Sequence, residues 1–146
     1  MAGIVFDTSI YIHALRRGHA AILDLRRACL ADETDSRPLW FSAVVLSELL
    51  IGASDKKARK LLLETEKQFL RVNRMLVPIE SDWRLAGEVL SSIGAKYGYA
   101  LIGQSRMTND ALISMTVARN GFTVLTRNSI DFQRIAEFRS FDWKTV

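Results

Sequence analysis

The chain has 146 residues, of which 49% are hydrophobic and 25% are charged, and this balance is typical of a folded protein rather than a disordered one. Its 20 lysines and arginines outnumber its 16 acidic residues. The resulting formal charge of +4 favours a polyanionic partner but is also compatible with solubility alone. A single cysteine excludes an internal disulfide, and one thiol with two histidines does not make a zinc site.

We expect a single domain over residues 1–146, because no repeat and no Pro/Gly-rich linker divides the chain. The lone cysteine, which cannot form an internal disulfide, leads us to expect a cytoplasmic protein. The first residues, MAGIVFDTS, lack the basic and then long apolar segments of a signal peptide. The longest apolar stretch, residues 43–51, is interrupted by Ser47 and Glu48 and is too short to span a membrane.

In the first third of the chain, short apolar runs alternate with helical patterns. Residues 3–6 predict a buried strand, and the capping residues after it predict a helix to about Arg17. A second helix is expected over residues 20–31. After a polar loop, residues 39–44 predict the second strand, and a short helix follows over residues 47–52.

The same alternation continues to the end of the chain, and it is the pattern of a parallel sheet covered by helices. Thr108 is expected to cap the last long helix, and Gly121 is expected to end it. The expected helices cover residues 55–73, 82–93 and 110–120, with a loop over 94–107, and the expected strands cover residues 75–79, 122–125 and 138–143.

Three acidic residues stand where an ordinary surface charge would not. Asp7 directly follows the first strand, Glu48 lies inside the most apolar segment, and Asp110 opens a helix with an apolar face. Ligands of open parallel α/β sheets sit at the carboxyl ends of the strands. We therefore expect these three carboxylates to meet at that edge of the sheet.

A cluster of carboxylates is costly, because like charges and burial both disfavour the ionised form. A hard divalent cation such as Mg²⁺ or Mn²⁺ removes that cost, since it prefers oxygen ligands. The cation can also bridge to a phosphate and activate a water molecule. The cluster thus predicts a site that hydrolyses phosphodiester bonds.

Each acid also has a purely structural interpretation. In this interpretation Asp7 is a helix N-cap without a role in a site, and Asp110 is a first-turn acid that complements the helix dipole. Glu48 is harder to explain in this way, because glutamate is rarely buried without a partner.

Four strings along the chain resemble, in order, the motifs of the PIN-domain family. They are IVFDTS at residues 4–9, SELLIG at 47–52, TNDALI at 108–113 and VLTRNSIDF at 124–132. Their spacing and the chain length are similar to those of the VapC-type toxins of prokaryotic toxin–antitoxin pairs. The resemblance covers essentially the whole chain.

This resemblance implies a three-layer α/β/α fold with a central parallel sheet of about five strands. It also implies an Mg²⁺- or Mn²⁺-dependent endoribonuclease that cuts RNA by attack of water. Asp7 and Asp110 would be the metal ligands, and Glu48 would complete the acidic pocket. A VapB-like antitoxin would bind the protein and block its active site, and the toxin would form a homodimer.

The fourth motif departs from the pattern, because many family members carry an acid where this chain has Asn128. Asp131 is either the replacement for that acid or the N-cap of a short helix, and both interpretations stay open. Thr126 can orient water or phosphate, or it can simply end a strand. Ser9 has the same two interpretations as a site residue or a capping residue.

Two other functions compete with the nuclease. A haloacid-dehalogenase-like phosphatase needs a second aspartate two residues after the first, and Ser9 occupies that position. A PIN-fold module that has lost catalysis and only binds RNA or protein is kept open by Asn128. Tyr97, Tyr99 and the basic cluster around Lys56 are further possible RNA contacts, with a solvated helix face as the alternative for the cluster.

Overall fold

The computed structural model describes residues 2–16 and 37–146, and within them five strands form a single parallel sheet. The strands are β1 (Ile4–Phe6), β2 (Leu39–Ser42), β3 (Met75–Leu76), β4 (Thr123–Thr126) and β5 (Asp142–Thr145). Their order across the sheet is β3-β2-β1-β4-β5, so the first strand lies at the centre. The predicted five-stranded parallel sheet is confirmed.

The central position of β1 follows from its sequence, because all three of its residues are apolar and fully buried. Ile4 lies opposite Leu39 of β2 on one side and opposite Thr123 of β4 on the other. The strand order reverses at β1, and this is the place where an open α/β sheet leaves a crevice at its carboxyl edge.

Six α-helices are described, and with the sheet they form the three-layer α/β/α architecture that was expected. A short 3-10 helix, Tyr99–Leu101, separates the fourth and fifth of them. The helices are α1 (Thr8–Arg16), α2 (Ala43–Gly52), α3 (Lys56–Arg71), α4 (Glu80–Tyr97), α5 (Ser105–Asn120) and α6 (Ser129–Phe138).

Helix α5 is the most deeply buried helix of the described part of the chain, since residues 110–117 are all buried. Ile113 and Val117 pack into the apolar core around the sheet. Leu112 and Met115 pack into a second apolar cluster with residues of α4. Because both sides of α5 are covered, its side chains have fixed positions relative to the sheet.

Two helix ends follow the local chemistry predicted from the sequence. Asp55 accepts a hydrogen bond of 2.7 Å from the backbone nitrogen of Ala58 and caps α3. Gly121 adopts the left-handed conformation, with φ of 66°, and ends α5.

The start of α2 differs from the prediction. Its N-cap is Ser42, whose hydroxyl oxygen accepts hydrogen bonds from the backbone nitrogens of Val44 and Val45. The helix therefore begins at Ala43, four residues before the predicted start, and β2 ends at Ser42. The predicted strand was too long because valine and alanine in this run are compatible with both structures.

The segment predicted as a loop over residues 94–107 is largely helical. Helix α4 continues through Gly94, because Tyr99 and Ile102 pack directly on the glycine. A Cβ atom there would lie 2.5 Å from the Tyr99 ring and 2.4 Å from Ile102. Close packing of the segment that follows α4, rather than a helix-breaking tendency, thus explains this glycine.

Helix α5 begins at Ser105, ahead of the predicted start, so Thr108 is not its cap. Asp110 consequently lies in the second turn, and the first turn contains no acidic residue. The interpretation of Asp110 as a first-turn acid is therefore wrong. Helix α6 likewise continues to Phe138, which shifts the last strand to residues 142–145.

The helix predicted over residues 20–31 lies outside the described residues. Among the residues that are described, none belongs to a helix that is both long and apolar enough to cross a bilayer.

Helices α4 and α5 are joined by a buried ion pair. The Asp82 carboxylate is fully buried and accepts hydrogen bonds of 3.0 Å from Nε of Arg119 and from the backbone nitrogen of Ile79. We expect Arg119→Ala to lower the free energy of unfolding by roughly 2–3 kcal/mol, because it leaves a buried charge without its counter-ion. Urea unfolding monitored by circular dichroism measures the change.

Arg84→Ala is the matched control, since Arg84 forms only exposed ion pairs with Glu80 and Glu88 on α4. Its effect is expected to stay below about 1 kcal/mol. Equal effects of the two substitutions would contradict the structural role assigned to Asp82 and Arg119.

Candidate functional site

A cleft of about 400 Å³ opens where β1 and β4 end, at the reversal of the strand order. Three of the predicted acids, Asp7, Glu48 and Asp110, line it together, so the expected convergence of these residues is observed. The complete lining consists of Asp7, Thr8, Ser9, Ile12, His13, Arg16, Glu48, Arg106, Asp110 and Arg127.

Asp7 directly follows β1, and only 4% of its surface is exposed. One carboxylate oxygen accepts a hydrogen bond from the backbone nitrogen of Ser9, and the other accepts one from the hydroxyl of Thr126. The first bond caps α1. Asp7 is therefore both a helix cap and a lining residue of the cleft, and the two interpretations are compatible.

Thr126 and Ser9 connect α1 with the segment between β4 and α6. Thr126 is fully buried, and its hydroxyl oxygen accepts a hydrogen bond of 2.9 Å from the backbone nitrogen of Asn128. The Ser9 hydroxyl accepts one of 3.0 Å from the backbone nitrogen of Arg127. These contacts fix the position of Asp7 from two directions.

Glu48 lies in the middle of α2 and is half-buried. The hydroxyl of Thr8 donates a hydrogen bond of 2.8 Å to one of its carboxylate oxygens. Glu48 therefore has the partner that a glutamate in an apolar helix requires. The bond also joins α1 to α2 across the cleft.

Asp110 is 6% exposed and projects from the buried helix α5 toward the other acids. Burial raises the pKa of Asp110 from its ordinary value to about 9. Negative charges nearby add to this increase, and they belong to Asp7, Asp131 and Glu48. The side chain is consequently protonated at neutral pH and donates a hydrogen bond to Asp131.

Asp131 and Asn128 both belong to the fourth motif, but only Asp131 reaches the acidic cluster. It lies in the first turn of α6, contacts Asp110, and has an Arg106 Nε atom 3.6 Å from its Oδ2. Asn128 is the N-cap residue of α6, and its side chain forms no capping hydrogen bond. Neither residue lines the cleft itself, and Asp131 is joined to it through Asp110. The geometry therefore favours Asp131 as the fourth acid.

The donor set suits a hard divalent cation, because the cluster offers carboxylate and hydroxyl oxygens. Burial and the neighbouring carboxylates both disfavour the ionised form of Asp110 and raise its pKa, and a bound cation would favour that form. Within residues 2–16 and 37–146, however, no three acidic, histidine or cysteine side chains are already arranged around one ion position. Hydrogen bonds from Ser9, Thr126 and Thr8 occupy the carboxylates instead.

The sequence analysis did not identify Thr8, Arg106 or Arg127 as site residues, and it left Arg16 open as either a guide for RNA or a solvated surface charge. Thr8 binds Glu48 forty positions away, and no local pattern indicates such a contact. Arg106 was assigned to the predicted loop over residues 94–107, so the sequence did not indicate which way its side chain would point. Arg16, Arg106 and Arg127 all line the cleft from exposed positions.

The other possible RNA contacts do not line the cleft. Tyr97 donates a hydrogen bond of 2.6 Å to Glu137, and its ring lies under the guanidinium of Arg134 at 5.1 Å. Tyr99 packs on α4 through its contact with Gly94. The lysines around Lys56 lie on the exposed face of α3.

Comparison with known proteins identifies the family to which this architecture is similar. The sequence model of the PIN domain matches residues 4–138. No curated protein is significantly similar to the chain.

Several solved structures share the fold over nearly the entire chain. DNA-bound VapBC from Salmonella typhimurium matches with 19% identity and a TM-score of 0.65, covering 99% of this chain and 98% of that one. VapBC2 from Rickettsia felis, bound to promoter DNA, matches with 19% identity, a TM-score of 0.64 and 98% coverage of both chains. VapBC-1 from nontypeable Haemophilus influenzae matches with 21% identity and a TM-score of 0.64, covering 97% and 96%.

The raised pKa of Asp110 predicts a specific dependence of stability on pH. The folded state holds a proton up to about pH 9, whereas the unfolded chain releases it near the ordinary value of 3.8. Between these values the folded state binds more protons, so stability falls as pH rises. In the presence of a chelator, we expect Asp110→Asn to raise the thermal midpoint at pH 8 by about 3 °C or more.

The difference in thermal midpoint between Asp110→Asn and the wild type should shrink toward pH 5, because protonation of Asp110 in the folded wild type then costs little free energy. Asp142→Asn, an exposed position on β5, should leave the midpoint unchanged at both pH values. A thermal midpoint of Asp110→Asn at or below the wild-type value at pH 8 would show that the pKa of Asp110 is not raised by the fold.

Proposed function

Because the chain belongs to the PIN-domain family, we propose that it is a toxin endoribonuclease of the VapC type that uses Mg²⁺ or Mn²⁺ to hydrolyse RNA. The convergence of Asp7, Glu48 and Asp110 in one cleft is the observation that carries the proposal. The similarity of the fold to VapBC structures supports the toxin assignment.

Asp7 and Asp110 are the residues that would hold the cation, with Glu48 and Asp131 completing the acidic cluster. A bound Mg²⁺ or Mn²⁺ would activate water for attack on a phosphodiester and neutralise charge on the phosphate. Asp110 must lose its proton before it can act as a ligand.

The hydroxyl residues keep the carboxylates in position. Thr126 and the backbone of Ser9 bind the two oxygens of Asp7, so that carboxylate cannot rotate freely. Thr8 restrains Glu48 in the same way. Such restraint lowers the cost of arranging the ligands and the substrate for reaction.

A nucleic acid suits the cleft, because exposed arginines lie beside its acidic residues, and the similarity to VapC-type toxins makes RNA the proposed substrate. Arg16, Arg106 and Arg127 can bind the phosphates that flank the bond to be cut. The alternative of a PIN-fold module without catalysis rested on Asn128. The position of Asp131 beside Asp110 supplies the missing acid and argues against that alternative.

A protein partner follows from the same assignment. The similar structures are complexes named VapBC, two of them with DNA. By analogy, we propose that a VapB-like antitoxin binds this protein and covers its cleft. We also propose that the protein forms a homodimer and acts in the cytoplasm, where its RNA substrate is found.

We expect Asp7→Asn and Asp110→Asn each to reduce the rate of RNA cleavage at least a hundredfold, because each removes a charge that the cation requires. The measurement is cleavage of a single-stranded RNA by the purified protein in Mg²⁺ or Mn²⁺. Chelation should abolish wild-type cleavage, and an excess of either cation should restore it.

Asp142→Asn is again the control, since Asp142 lies at the opposite end of the sheet on β5. It should cleave at the wild-type rate. Full activity in either cleft variant would refute the site, whereas RNA binding without cleavage by the wild type would support the inactive module.

The toxin assignment is tested in cells. We expect expression of the wild-type chain to arrest growth, and co-expression of a short open reading frame from the adjacent gene position to relieve the arrest. Asp7→Asn should not arrest growth although it accumulates to the same level. Arrest by Asp7→Asn would separate toxicity from RNA cleavage and contradict the assignment.

A further inference from the structure

Charge is segregated within the cleft. Asp7 and Asp110 are buried at its floor, whereas Arg16, Arg106 and Arg127 are exposed at its mouth. Guanidinium groups bind phosphate oxygens in paired geometry, so exposed arginines beside a phosphodiesterase site suit the flanking phosphates of a substrate.

Arg106 differs from the other two arginines because it forms an ion pair with Asp131, a member of the acidic cluster. Its Nε atom lies 3.6 Å from Oδ2 of Asp131, and its side chain is 58% exposed while that of Asp131 is 16% exposed. Asp131 is in turn hydrogen-bonded to Asp110. In the part of the chain that the structure describes, Arg127 forms no ion pair with the cluster.

We propose that Arg106 has two partners in turn: it is the counter-charge of the acidic cluster, through Asp131, until a divalent cation binds, and it then binds a phosphate of the RNA. This inference rests on the proposed nuclease function. A cation among the carboxylates would repel the guanidinium and replace its contribution to charge balance. The freed side chain is already at the mouth of the cleft, where the RNA backbone would pass.

A purely structural role does not explain this ion pair. Its arginine is more than half exposed, and the separation of 3.6 Å is longer than that of a charge-assisted hydrogen bond. Exposed ion pairs contribute little to stability. We therefore expect Arg106→Ala to fold with a thermal midpoint close to that of the wild type.

The two roles predict opposite effects of one substitution. Because the Arg106 guanidinium no longer competes for the acidic cluster, Arg106→Ala should bind Mn²⁺ about three- to tenfold more tightly in calorimetric titration without RNA. Without the phosphate contact, its KM for single-stranded RNA should rise about tenfold while kcat changes little. The slope of log(kcat/KM) against log[salt] should become shallower by about 0.7.

Arg127→Ala is the matched control. Arg127 lines the same cleft from an exposed position, and its backbone nitrogen is bound by Ser9 whatever its side chain. It should raise KM and reduce the salt slope like Arg106→Ala, but its Mn²⁺ affinity should equal that of the wild type. Arg106→Lys, which retains the charge, should restore the wild-type Mn²⁺ affinity.

The outcomes separate this inference from the proposed function. A wild type that binds Mn²⁺ and cleaves RNA, together with an unchanged Mn²⁺ affinity or an unchanged KM in Arg106→Ala, would overturn the inference alone. A wild type that neither binds Mn²⁺ nor cleaves RNA would overturn both. Tighter Mn²⁺ binding with weaker RNA recognition in Arg106→Ala supports the inference.

Discussion

The buried carboxylate of Asp7 is the constraint on which the rest of the site depends. A carboxyl group away from water is tolerated only when its oxygens are hydrogen-bonded. Here the two donors come from different elements, the backbone of α1 at Ser9 and the end of β4 at Thr126. The same requirement therefore fixes how α1 leaves β1 and how β4 lies beside it.

The acidic cluster lowers the stability of the folded state, and packing in the remainder of the fold compensates for it. Asp110 cannot withdraw from the other carboxylates, because α5 is packed against both apolar clusters. The protein accommodates this by protonating Asp110 and by placing Arg106 beside Asp131. Functional sites commonly keep such unfavourable groups, and the well-packed surroundings supply the compensating stability.

Much of this arrangement could be predicted from the sequence, because it is encoded locally. Apolar runs located the strands, Asp55 and Gly121 marked helix ends, and Asp7 was identified from its place after β1. The four motifs supplied the order of the acids along the chain. Convergence of those acids then followed from the rule that strand ends share one edge of the sheet.

The features that could not be predicted depend on side-chain packing or on helix starts without a capping side chain, and no local pattern marks either. Gly94 suggested a loop, but packing of Tyr99 on the glycine keeps α4 helical. The start of α5 lacks a side-chain cap, so nothing in its sequence marked Ser105 as the first residue. The resulting shift moved Asp110 to the second turn and placed Arg106 on a helix.

The position of Asp131 explains how the cluster tolerates Asn128. At the end of β4 the chain uses only the backbone of Asn128, which binds Thr126, so a carboxylate at this position is not needed to hold the turn. The first turn of α6 then directs Asp131 toward Asp110. The cluster consequently has two unlike halves. Asp7 and Glu48 are held by hydroxyl and amide donors, whereas Asp110 is hydrogen-bonded to Asp131, which faces Arg106. A change in local positive charge therefore acts first on the second half, because the positive charge that faces it belongs to a side chain that is 58% exposed.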